Sequence, residues 1–169
     1  MALSPERAES EDAAKEAALR ILARGPRTER EVRERLTGRG FLEDAVERAI
    51  ERLRRVSLLD DRAFARSFLR TELSRTPQGM RLLRMKLRRK GLSDSLLGEL
   101  DRLVDEDPDL AGRSLTSEEG RAAAGLAQIR RRYARLSPEV FRRRAEQALL
   151  RRGFQWDTIR DLLGEDAQT

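Results

Sequence analysis

Residues 36–50 read LTGRGFLEDAVERAI, residues 87–101 read LRRKGLSDSLLGELD, and residues 149–163 read LLRRGFQWDTIRDLL. Each stretch opens on Leu, runs two residues on, and then gives Arg or Lys, Gly, and Phe or Leu. An aliphatic residue, Val46, Leu97 or Ile159, stands six positions beyond the glycine (Gly40, Gly91, Gly153). A helix that ends on a left-handed glycine, followed by an apolar residue that folds back and a new helix a few residues later, produces this spacing. The pattern is therefore a helical corner used three times. Upstream of each corner stands a helix-start signal: Thr28 with Glu31 three residues on, Thr76 before Pro77, and Ser137 before Pro138. Upstream of those signals, apolar residues at helical spacing predict first helices over about Ser10 to Ala23, Asp61 to Leu73, and Glu119 to Leu136.

The resulting expectation is an all-α chain of three tandem three-helix repeats at residues 11–59, 60–104 and 119–165. Residues 1–10 are expected to be a flexible N-terminus, 105–118 an acidic linker, and 166–169 a tail. Units this small bury little alone, so stacking is expected to give an elongated, curved array. Composition agrees with helix. Aromatic residues make up 4% of the 169, Ala, Leu, Arg and Glu dominate, and 38% hydrophobic against 39% charged residues leaves a thin core.

Composition also removes chemistry. The chain has no Cys and no His, so disulfides, thiolate nucleophiles, imidazole bases and the usual zinc ligand sets are excluded. No phosphate-cradling glycine loop or other cofactor motif is present, and no cofactor is expected. The opening MALSPERAES lacks an apolar signal core and no long apolar run follows, so the expectation is a cytoplasmic protein that makes no use of a membrane.

The repeat spacing, the junction Ser57-Leu58-Leu59-Asp60-Asp61-Arg62-Ala63-Phe64-Ala65, the Arg-Gly-Phe corner at Arg39 to Phe41, and the terminal Arg-Arg-Gly-Phe at Arg151 to Phe154 followed by Ile159 resemble the RecX family of recombination regulators. The likeness runs over about residues 15 to 165. It implies tandem three-helix units, binding to the RecA recombinase in its nucleoprotein filament, inhibition of strand exchange and of ATP hydrolysis, and for some members DNA binding. It implies no catalytic residues. The acidic stretch from Asp105 departs from the even spacing of the repeats.

Charge sharpens the functional reading. The net charge is +6, from 36 basic against 30 acidic residues. Residues 1–60 are balanced, whereas residues 120–152 hold ten basic residues and two acidic ones. In the second repeat Arg81, Arg84 and Arg88 fall on one helical stripe beside the apolar Met80, Leu83 and Leu87, and no acid is expected to neutralise it; Lys86, Arg89 and Lys90 flank it. In the third repeat Arg131, Arg132 and Arg135 form a second stripe, and Arg143, Arg144 and Arg151 a third. Unpaired like charges at these spacings cost a few tenths of a kcal/mol each. These twelve residues are the candidate contacts to a recombinase surface or to single- or double-stranded DNA, without base reading, by a monomeric protein.

Two rival readings are weaker. A base-reading helix-turn-helix would enter the major groove by the helix after the glycine, yet those helices begin with Glu43 and Asp44, with Asp94, or with Asp157, which would face phosphates. They read as dipole complements, and a DNA binder acting without recombinase contact remains as the alternative. A metal-dependent enzyme would need Asp60 and Asp61, with Glu72 or another acid, to converge. Consecutive acids before an apolar-periodic stretch read instead as an N-cap and a first-turn acid. Trp156 and Tyr133 could stack on bases, but at helical spacing they read first as core or rim residues.

Overall fold

The structure is a computed structural model that describes residues 4–165. Among the described residues every regular element is helical: α1 (Pro5–Glu9), α2 (Glu11–Leu22), α3 (Glu29–Thr37), α4 (Glu43–Arg55), α5 (Asp61–Arg75), α6 (Met80–Arg89), α7 (Asp94–Gly98), α8 (Leu100–Asp105), α9 (Pro108–Ala111), α10 (Glu118–Arg132), α11 (Pro138–Arg151) and α12 (Trp156–Glu165). They gather into two compact units, Met1–Ala65 with Arg88–Ser93, and Arg66–Leu87 with Asp94–Thr169.

In the first unit, α4 buries Ala45, Val46, Ala49, Ile50 and Leu53, one continuous face at helical spacing. Against it pack Ala14, Ala17, Ala18 and Ile21 of α2 and Val32 and Leu36 of α3, with Phe41 and Leu59 closing the core. Each fully buried Leu or Ile contributes about 1.5–3 kcal/mol. The start of α3 is a complete capping box between Thr28 and Glu31. Its end is the predicted corner: Gly40 has φ 91°, and the Phe41 amide donates back to the Leu36 carbonyl at 3.3 Å. The corner at Gly91 has the same φ.

In the second unit, α10, α11 and α12 enclose Ala122, Leu126, Ile129, Ala145, Leu149, Phe154, Ile159 and Leu163. The corner at Gly153 has φ 82°, and the Phe154 amide reaches the Leu149 carbonyl at 3.3 Å. One joint recurs in both units. In the first, Thr28, the N-cap of α3, donates its hydroxyl to the carbonyl of Lys90, which precedes Gly91, at 2.6 Å. In the second, Gly79, immediately before α6, donates its amide to the carbonyl of Arg152, which precedes Gly153, at 3.0 Å. The start of a second helix is thus tied to the corner of the following repeat.

Four expectations are corrected. Residues 5–9, expected to be flexible, form α1, which buries Ala8 and accepts the Leu42 amide on the Ala8 carbonyl at 2.9 Å; residues 1–3 and the 166–169 tail lie outside the described residues. The acidic linker is folded. Asp107, 2% exposed, caps α9 through the amides of Asp109 and Leu110, and Leu110 and Leu115 are buried. Buried Arg121 holds the rest of the linker, donating to the carbonyls of Leu115, at 3.0 Å, and Thr116. Third, α6 starts at Met80 rather than at Thr76-Pro77, because Thr76 still closes α5 by donating to the Glu72 carbonyl. Fourth, α10 stops at Arg132, so Arg135 sits in the following turn and not on the α10 stripe.

Candidate functional site

Much of the first repeat's charge is paired internally. Arg33 grips Glu47 with two bonds, 2.6 and 3.1 Å, and Arg54 grips Glu29 the same way at 3.0 and 2.7 Å. The Arg33 guanidinium holds the Glu47 carboxyl below the usual range. Arg52 reaches Glu11 and Asp12. Such forked pairs leave little free charge for a partner.

The acids weighed as metal ligands are engaged elsewhere. Asp60 caps α5, accepting from the amides of Arg62 and Ala63 at 2.8 and 2.9 Å. The Asp61 carboxylate, although on the first turn of α5, accepts from the Glu29 amide at 2.9 Å and so caps α3; burial pushes its carboxyl above the usual range. Glu72 takes Lys86 and the Gln78 amide.

The second-repeat stripe is less free than its sequence suggests. Arg84 pairs with Asp101, which corrects the expectation that no acid neutralises it: the partner comes from α8, beyond the reach of helical spacing rules. Lys86 is held by Glu72 and by the Gln78 side chain at 2.7 Å. Lys90 pairs with Glu31 at 2.9 Å and lies 5.4 Å from the Phe64 ring centre. Burial acts to raise the Glu31 carboxyl, but the Lys90 ammonium and the Thr28 amide outweigh it and hold it below its usual range. Arg81, Arg88 and Arg89 are exposed.

The third repeat differs. Arg131, Arg132, Arg135, Arg143, Arg144 and Arg151 are all exposed, and none has an ion-pair partner among the described residues. Arg132 and Arg151 also line a cleft of about 440 Å³ within the second unit, where the ends of α5, α10 and α11 meet α6. Arg75, Lys86, Gln128, Tyr133 and Arg152 share its wall. Arg152 donates through Nη1 to the Gly125 carbonyl and to Gln128 Oε1, both at 3.3 Å. Burial, with the like charge of Arg132, holds its guanidinium below the usual arginine range. The Arg132 guanidinium lies 5.7 Å from the Tyr133 ring centre.

Of the twelve predicted contacts, the cleft gathers Lys86, Arg132 and Arg151. Arg75 and Arg152 lie in its wall outside the predicted set, as does Tyr133, a candidate for base stacking that its helical spacing places first in core or rim. Arg75 and Arg152 stand at or just past helix C-termini, where cations complement the dipole, so their sequence signal is the same as that of an ordinary end. Only tertiary packing brings them together.

Comparison with known families matches three consecutive domains to the chain: the first three-helix domain of RecX on residues 14–53, the second on 60–99 and the third on 118–163. The chain is 32% identical over 154 residues to the regulatory protein RecX of Chlorobaculum tepidum, covering 89% of this chain and 88% of that protein. It is 34% identical over 149 residues to the regulatory protein RecX of Halorhodospira halophila, covering 88% and 85%. In fold it is similar to the crystal structure of RecX from Lactobacillus salivarius, with a TM-score of 0.71 at 23% identity over 92% of this chain and 95% of that one.

Proposed function

The chain belongs to the RecX family, and on that premise we propose that it regulates homologous recombination and repair by binding the RecA nucleoprotein filament and inhibiting its ATPase and strand-exchange activities. It does so in the cytoplasm, as a monomer and without chemistry of its own, by lying in the filament groove or by capping an end. The observation that carries the reading is that Arg131, Arg132, Arg135, Arg143, Arg144 and Arg151 of the third repeat have no ion-pair partner among the described residues, whereas Arg33, Arg48, Arg52 and Arg54 of the first repeat are paired with that repeat's own acids. An arginine surface of this kind suits carboxylates and phosphates, the two groups a nucleoprotein filament presents. Several repeats engaging neighbouring protomers multiply weak contacts into a stable complex.

The test is the single-stranded-DNA-dependent ATPase of the cognate recombinase titrated with this protein. Inhibition far below stoichiometric amounts is expected for capping, and saturation near one molecule per few protomers for groove binding. No inhibition, with DNA binding intact, would leave the protein a sequence-independent DNA binder acting without recombinase contact.

A further inference from the structure

We propose that the cleft of the second unit is a single-stranded nucleic-acid site, in which Arg75, Arg132, Arg151 and Arg152 pair with backbone phosphates and the Tyr133 ring carries an unstacked base. The inference deepens the proposed function and rests on it only for the setting, a filament that carries DNA.

The cleft, at about 440 Å³, is within the size range of ligand sites. Its one carboxylate, Glu72, is already satisfied by Lys86 and Gln78, so Arg75, Arg132, Arg151 and Arg152 line the cleft without an ion-pair partner among the described residues. Arg152 is held in place through Nη1 alone, while its Nε and Nη2 make no hydrogen bond among the described residues, leaving a fork for a phosphate. Bringing like charges together here is unfavourable until an anion enters; burial first, and then the like charge of Arg132, hold the Arg152 guanidinium below its usual range. An acidic peptide would satisfy the cations, but nothing in it requires an aromatic ring beside them. A nucleic-acid strand uses both, phosphates on the arginines and a base on the ring. The ring selects a single strand, because a base stacked inside a duplex has no face to offer it.

The experiment is fluorescence anisotropy of a labelled oligothymidylate with the full chain, across a salt series. Three variants carry it: Arg75→Ala with Arg132→Ala, Tyr133→Leu, and a control pair of equal charge loss in the first repeat, Arg35→Ala with Arg39→Ala. Removing the two cleft arginines is expected to weaken binding ten-fold or more and to lower the slope of log affinity against log salt by about 1.4, about 0.7 for each phosphate contact. Tyr133→Leu is expected to weaken binding roughly ten-fold at every salt concentration with the slope unchanged, since stacking releases no counterions. The control pair should change neither by a comparable amount. Arg75→Lys with Arg132→Lys, which keeps the charge, should retain the slope, separating lost contacts from lost fold. Equal losses in the cleft and control pairs, or competition by free thymidine triphosphate as strong as by the oligomer, would overturn the site. The assay contains no recombinase, so failure to inhibit the ATPase would sink the proposed function and leave this site standing. Unchanged oligomer affinity would sink the site and leave inhibition untouched.

Discussion

Thr28 shows how much one side chain can carry. Its hydroxyl accepts from the Glu31 amide at 3.2 Å and donates to the Lys90 carbonyl at 2.6 Å, fully buried. Thr28→Val keeps the shape and strands both partners, so it is expected to cost about 1–3 kcal/mol in urea unfolding, whereas Thr28→Ser should recover most of that. Gly153 joins two demands that Gly25 separates. Both have positive φ, but a Cβ at Gly25 meets nothing within 4 Å, while at Gly153 it would lie 2.5 Å from Leu82 Cβ and 2.9 Å from the Leu82 amide nitrogen. Gly25→Ala should therefore cost only the left-handed penalty, about 1–2 kcal/mol, and Gly153→Ala an overpacking cost of about 1–3 kcal/mol more. Two acids have opposite pH signatures. The Lys86 ammonium, helped by Gln78, outweighs burial and holds Glu72 below its usual range. Its stabilisation is complete above the ordinary glutamate pKa, about 4.3, and is lost as pH falls through the depressed folded value. Glu72→Gln should thus lower the thermal midpoint at neutral pH and have a vanishing effect in acid. Burial raises Asp61, so its ionisation opposes folding as pH rises from its unfolded value, about 3.9, through the raised one. Asp61→Asn should be relatively more favourable at neutral pH than at pH 3.

At the scale of elements, what the sequence revealed was local. Corner glycines were legible because a left-handed turn leaves a residue-type signature, and the capping box at Thr28 because its two halves are three residues apart. The linker was misread because its folding is tertiary. Asp107 looks like one acid among many, yet it caps α9 while Arg70 of α5 donates to it at 2.9 Å. Asp107→Ala should cost about 0.5–2 kcal/mol for the lost cap and should open the segment around 105–118 to limited proteolysis before the rest of the chain unfolds. The candidate stripes divided in the same way. Spacing identified which arginines share a helix face, but not that Asp101 on α8 meets Arg84, nor that three helix ends converge around Tyr133.

For the whole molecule, net charge is a poor guide and its distribution a good one. A protein at +6 could hold its cations anywhere; here many arginines of the first repeat pair with its own acids, while Arg131, Arg132, Arg135, Arg143, Arg144 and Arg151 of the third stand exposed without an ion pair among the described residues. This ranks the surfaces. Changing Arg81, Arg84 and Arg88 to Ala removes three charges but also frees Asp101, so part of its effect is a new unpaired acid and not a lost contact. Changing Arg131, Arg143 and Arg144 to Ala breaks no internal ion pair. If these residues meet the filament, that second triple should raise the half-inhibitory concentration in the recombinase ATPase assay by an amount equivalent to about 1–3 kcal/mol, the worth of charge-assisted bonds, with the thermal midpoint unchanged. Bare duplex binding then separates the partner's chemistry. Arginines that contact phosphates should lose salt slope, by about 0.9 for each contact on duplex DNA, and affinity for bare DNA together with inhibition. Arginines that pair with recombinase carboxylates should lose inhibition while the salt slope on bare DNA stays where it was. Inhibition unchanged in both triples would identify the stripes as solvated faces, since unpaired charge that no partner uses has only its small helical repulsion to lose.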